Sequence, residues 1–180
     1  MSSVSPDPLT YEKVSAQLGR PAEGLREVIR WVKDEPVVVR VALFVEGNLF
    51  PTLFWLSHPE FVSAIGELES DGTMGEFQEK IDQSPELQQI LHQHNLDFIK
   101  LRETYLDDAD RIACEKLGEN VLAKKGIGGN SNFTRIRCLH AHYAAHLKLP
   151  NRIGTMVDKH LESISHPILQ LKKQLVSDFV

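Results

Sequence analysis

The chain is expected to be an α+β protein in which a small antiparallel β-hairpin or three-stranded sheet packs against about five helices. Three observations predict this. β-Branched and aromatic residues crowd into two early runs, Val37-Val38-Val39-Arg40-Val41-Ala42-Leu43-Phe44-Val45 and Phe50-Pro51-Thr52-Leu53-Phe54-Trp55-Leu56. Beyond Leu56 the apolar residues recur at helical spacing instead. A chain of 180 residues that is 42% hydrophobic buries enough surface to fold unaided, so residues 1–180 are read as a single domain.

In chain order, Leu9, Val14 and Leu18 mark a short opening helix that Gly19 closes. Leu25 to Val32 reads either as a third strand or as a helical stripe. The two β-rich runs are joined by Glu46-Gly47-Asn48, which carries the residue types of a tight turn, and together they predict a β-hairpin. Ser57-His58-Pro59-Glu60 places a capping serine three residues before a glutamate, and Phe61, Ile65 and Leu68 follow on one helical face. Thr73 and Glu76 repeat the pattern ahead of Phe77 and Ile81. From Ser84-Pro85, Leu87, Ile90, Leu91, Phe98, Leu101, Tyr105 and Ile112 predict one long amphipathic helix ending near Gly118. A loop around Gly126-Ile127-Gly128-Gly129-Asn130 precedes a helix over about Phe133 to Leu147, which Pro150-Asn151-Arg152 breaks. A last helical region runs from Thr155 toward the C-terminus, divided at Pro167.

Charge and cysteine content narrow the function classes. With 20 basic and 25 acidic residues the net charge is −5, which argues against a surface built to wrap nucleic acid or an anionic membrane. Two cysteines, Cys114 and Cys138, read as reduced thiols. The first residues lack the basic and apolar regions of a secretory signal, and no apolar run approaches the roughly 20 residues of a membrane span, so a cytoplasmic location is expected.

The most suggestive stretch is Arg135-Ile136-Arg137-Cys138-Leu139-His140-Ala141-His142-Tyr143-Ala144-Ala145-His146. Residues four apart share a helix face, so Cys138, His142 and His146 form a stripe and His140 points away from it. Thiolate and imidazole are zinc ligands, but only two from such a stripe reach one ion, because its ends lie about 12 Å apart. His58 is the imported ligand this reading selects. The duller alternative is a buried thiol among partly exposed histidines. The glycine loop offers a second candidate. Gly126, Gly128 and Gly129 ahead of a helix carrying Arg135 and Arg137 suit a phosphate or carboxylate, and Arg40, the one charge among valines, is a further ligand residue. A glycine C-cap with a turn explains the same residues. No Walker ending, Gly-x-Ser-x-Gly or His-Glu-x-x-His is present.

Gln17-Leu18-Gly19-Arg20-Pro21, Pro36-Val37-Val38, Phe50-Pro51-Thr52-Leu53-Phe54-Trp55-Leu56, Gly126-Ile127-Gly128-Gly129 and Arg137-Cys138-Leu139-His140 together resemble an uncharacterised bacterial family, the domain of unknown function number five hundred and one. The resemblance covers about residues 14–154, leaving 155–180 as a C-terminal helical extension. It implies no reaction. It does imply a metal site, since relatives carry cysteines in the segment corresponding to Trp31-Val32-Lys33-Asp34 and at the position of His58, beside that of the Cys-Leu-His segment. Here the first group is missing, which leaves two alternatives: a reduced set of His58, Cys138 and His140 or His142, or, if the relatives' metal is structural, packing around Trp31 in its place. The family pattern favours His140, helical geometry His142.

The function these readings favour is a binder or hydrolase of a phosphorylated small molecule, assisted by zinc. The alternatives are a protein-interaction module presenting Phe50, Phe54 and Trp55, and, least favoured by charge, an RNA-binding protein.

Overall fold

The computed structural model describes residues 6–45, 48–118 and 121–177. Asp7 opens α1 (Pro8–Leu18) by accepting the Thr10 amide at 3.1 Å, and Gly19, at φ 66, closes it in the left-handed conformation that glycine adopts without strain. Leu25–Val32 is strand β1, not a helical stripe. It pairs antiparallel with β2 (Glu35–Val41) through a turn at Lys33-Asp34.

Strand β2 lies inside the sheet. β5 (Phe54–Leu56) pairs with one of its edges, setting Val38 opposite Leu56 and Arg40 opposite Phe54, while β1 pairs in turn with β6 (Leu175–Val176); the order is β5-β2-β1-β6. Val37 and Val38 belong to the main core, whereas Val39 and Val41 join a smaller one with Val14 of α1 and Leu25. Both faces of β2 are therefore covered, which is why its sequence is a run of valines and not an alternation. The expected hairpin between residues 37–45 and 50–56 forms with a difference. Its stem is β2 against β5, and its tip is a separate ribbon of β3 (Phe44–Val45) and β4 (Asn48–Leu49). Of the expected turn Glu46-Gly47-Asn48, residues 46 and 47 lie outside the described residues.

Several helix boundaries depart from the sequence expectation. His58, not Ser57, caps α2 (Pro59–Ser70) by accepting the Glu60 amide on Nδ1 at 3.3 Å; the Ser57 hydroxyl is buried and donates to the Pro36 carbonyl. Helix α3 (Thr73–Asp82) starts from Gly72, and Thr73 is buried with its amide donated to the Asp71 carboxylate. Ser84 caps α4 (Pro85–Glu103) as its sequence indicates. The single long helix expected to reach Gly118 is in fact two, because Asp107 and Asp110 form a reciprocal capping box that starts α5 (Asp108–Lys116) afresh.

The expected helix over Phe133–Leu147 is shorter. Asn130 and Asn132 accept the amides two residues ahead of them, which holds the chain in turns, and after the single 3-10 turn Ile127–Gly129 regular helix begins only with α6 (Leu139–His146). Asn151 caps α7 (Arg152–Ser163), α8 (Ile168–Lys172) follows Pro167, and the expected helical extension ends in strand β6 instead. Helix α6 packs on β5, α7 and α2 at the centre of the molecule. Arg102 is fully buried there, donating to the carbonyls of Pro51 at 3.0 Å and Leu122 at 2.5 Å, and burial pushes its guanidinium down to about 10. No helix among the described residues is long and apolar enough to cross a membrane.

Candidate metal centre

Helix α6 starts without a conventional cap. Cys138 occupies the N-cap position in an extended conformation (φ −159), and cysteine is a poor acceptor for the free amides of a first turn. The missing acceptor comes from another helix: Glu69, in the last turn of α2, takes the Leu139 amide on Oε1 at 2.5 Å. His140 then lies along α2. Its Nε2 is 3.0 Å from the Val62 carbonyl oxygen and its Nδ1 is 3.2 Å from Glu69 Oε2. Val62, Gly66 and Glu69 are spaced so that they share one face of α2. Gly66 sits beneath the imidazole, where a Cβ would be 3.9 Å from the ring.

One donor atom each from Glu69, Cys138 and His140 lies within 4.8 Å of the other two, and all three residues are half-buried. The donor set suits a metal on two grounds. Carboxylate, thiolate and imidazole are ligands that zinc takes together. In addition, with Nε2 set against the Val62 carbonyl, Nδ1 is the ring nitrogen that faces Glu69, as in a metal-bound histidine whose outer nitrogen is hydrogen-bonded to a carbonyl. Burial pushes the Cys138 thiol up, as does the charge of Glu69, while the amides of Ala141 and His140 act the other way. A cation between the two side chains would reverse that balance.

Of the four candidate ligands taken from the sequence, the fold brings Cys138 and His140 together. His58 lies elsewhere, capping α2 with its ring edge-on to Phe61 at 5.8 Å. His142 is 1% exposed and neither of its ring nitrogens has a hydrogen-bond partner among the described residues. The expected i,i+4 stripe fails because Cys138 is outside the helical register. Glu69 was not among the expected residues, and no local pattern marks it: it stands 70 positions before the amide it caps.

The glycine loop is built differently from an anion cradle. The Ile127 amide donates to Asn95 Oδ1 at 2.9 Å, Gly126 to the Asn130 carbonyl and Gly129 to the Gly126 carbonyl, so most of its amides are engaged within the protein. Gly128 and Gly129 are at positive φ, 68 and 71. Arg135 pairs with Asp82 at 2.9 Å, and Arg40 pairs with Glu27 while stacking 4.5 Å from the Tyr105 ring. Arg137 is exposed and has no partner among the described residues. Of the aromatic set expected at a partner surface, Phe54 is 1% exposed, edge-on to Phe98 and Tyr105; Phe50 alone is exposed, against a half-buried Trp55.

A family described as a protein of unknown function, DUF501, matches residues 28–159, and the chain belongs to it. The matched stretch contains Glu69, Cys138 and His140. No curated protein and no solved structure matches the chain.

Proposed function

We propose that this member of the DUF501 family is a zinc-binding protein whose centre takes a phosphorylated small molecule, as a binder or hydrolase. The observation that carries the reading is the convergence of Glu69, Cys138 and His140 within 4.8 Å. Three protein ligands leave a tetrahedral ion one open position, which is the arrangement of reactive zinc sites and not of closed structural ones. Bound there, the ion would supply Lewis-acid polarisation of a phosphoryl oxygen.

The chain's own residues have separable tasks in this reading. Glu69 spends one oxygen on the α6 amide and keeps the other for the centre. His140 is oriented by Val62, whose carbonyl lies 3.0 Å from Nε2. Arg137, unpaired and adjacent in sequence to Cys138, is the cation available to orient a phosphate.

Elemental analysis of untagged protein purified without chelator tests this, beside Cys138→Ser and Arg137→Ala variants. Near-stoichiometric zinc that is lost in Cys138→Ser and kept in Arg137→Ala supports the centre, and weaker binding of a phosphate monoester by zinc-loaded Arg137→Ala supports its ligand. Wild-type protein that neither carries nor takes up zinc rejects the reading.

A further inference from the structure

Between α7 and α8 the backbone adopts a conformation that does not suit the residue it carries. Ser165 has φ 53. Its amide donates to the Glu162 carbonyl and the His166 amide to that of Leu161, at 3.0 and 2.9 Å, which is the paired closure that ends many helices. In that closure the left-handed position ordinarily holds glycine, since a Cβ there is strained. Here a serine occupies it.

Ser165 lines a cavity of about 560 Å³ together with Glu162, His166, Leu169, Gln170, Lys172 and Lys173. That volume is typical of small-molecule sites. His166 accepts the Ile168 amide on Nδ1 at 3.1 Å, and its Nε2 lies 3.5 Å from Glu67. Lys172 is held by Asp158, whereas Lys173 is exposed with no partner among the described residues. The lining thus brings Lys173, Ser165 and Gln170, beside a Lys172 already paired with Asp158, against one carboxylate, Glu162.

We infer that this cavity binds a compact, multiply charged oxyanion, a small molecule bearing phosphate or carboxylate groups. Ser165 supplies a hydroxyl where glycine would fold with less strain, and Lys173 supplies charge that pairs with no group among the described residues. The lining residues all lie beyond residue 159, outside the stretch matched by the family, and none belongs to the Glu69–Cys138–His140 set.

The test is calorimetric titration of the full chain with pyrophosphate and, separately, citrate at constant ionic strength, on wild type, Ser165→Gly, Lys173→Glu and Cys138→Ser. Saturable binding of one of the two probes is expected, and which one binds separates phosphate from carboxylate recognition. Both Ser165→Gly and Lys173→Glu should weaken it by about fivefold or more, while Cys138→Ser leaves it unchanged. Ser165→Gly should also unfold at a higher temperature than wild type, so its weaker binding cannot come from misfolding. Absence of saturation with both probes, or equal affinity in Lys173→Glu and wild type, overturns the proposal.

Discussion

Gly126 is pressed against Asn95: a Cβ on the glycine would lie 2.1 Å from Asn95 Oδ1. The same oxygen accepts the Ile127 amide, and the amide nitrogen of Asn95 donates to the carbonyls of Leu91 and Phe133 at 2.8 and 3.2 Å. The buried side chain of α4 therefore fastens both ends of the glycine loop.

Gly126→Ala should accordingly destabilise the protein by about 3 kcal/mol, from overpacking together with the lost Asn95 bond. Urea denaturation measures this. A loss below about 0.5 kcal/mol, within the range of ordinary surface changes, would mean that the contact is not tight.

Asp158 is the anchor of the C-terminal helices. It accepts from Tyr143 Oη at 2.9 Å and His146 Nε2 at 3.1 Å, and it pairs with Lys172. Burial alone would push its carboxyl up, but these donors outweigh burial and hold it below the usual range. Asp158→Ala strands a largely buried lysine and a buried phenol, and should cost about 3 kcal/mol, read from the denaturation midpoint. The packing around the cluster is close, since a Cβ on Gly154 would fall 2.0 Å from Cγ of His146.

Stability should fall as pH is lowered from 6.5 toward 4. Burial, with a smaller contribution from His94, pushes the His142 imidazole from its ordinary 6.5 down to about 4. Between those values the unfolded chain binds the extra proton and the folded chain does not, so the loss grows with acidity to about 3 kcal/mol at most. Burial also lowers His58 and His94, which adds in the same direction. Urea midpoints at pH 7 and pH 5 should differ, and His142→Leu should narrow the difference. An unchanged difference in that variant would assign the effect to other groups.

Glu69→Gln separates the two roles of Glu69. The amide oxygen can still accept from Leu139, so stability without metal should stay within about 1 kcal/mol of wild type. The ligand charge is lost, however. Zinc at about a hundred times its dissociation constant should stabilise wild type by about 2.7 kcal/mol and the variant by much less in a thermal-unfolding assay. Equal stabilisation of both would place the ion elsewhere.

Where local chemistry was decisive, the sequence was legible. Gly19 ends α1, Ser84 starts α4, and the two β-rich runs do pair. It misled where two local signals competed. Ser57 and His58 both suit a cap, and burial of the Ser57 hydroxyl against Pro36 decided for His58. The apolar periodicity running through Tyr105 to Ile112 concealed the Asp107–Asp110 capping box that splits the helix.

By itself, the sequence determined the fold class, the two β-rich runs that pair before residue 57 and the presence of a cysteine and histidines in one short segment, because composition and spacing act over a few residues. Only the tertiary structure decided which histidine stands with Cys138. That choice depends on Glu69 reaching across from α2 to cap α6, which sets Cys138 at the N-cap, turns His140 onto α2 and leaves His142 buried. A contact 70 residues long in sequence leaves no periodic trace, since it forms only when two helices are packed together.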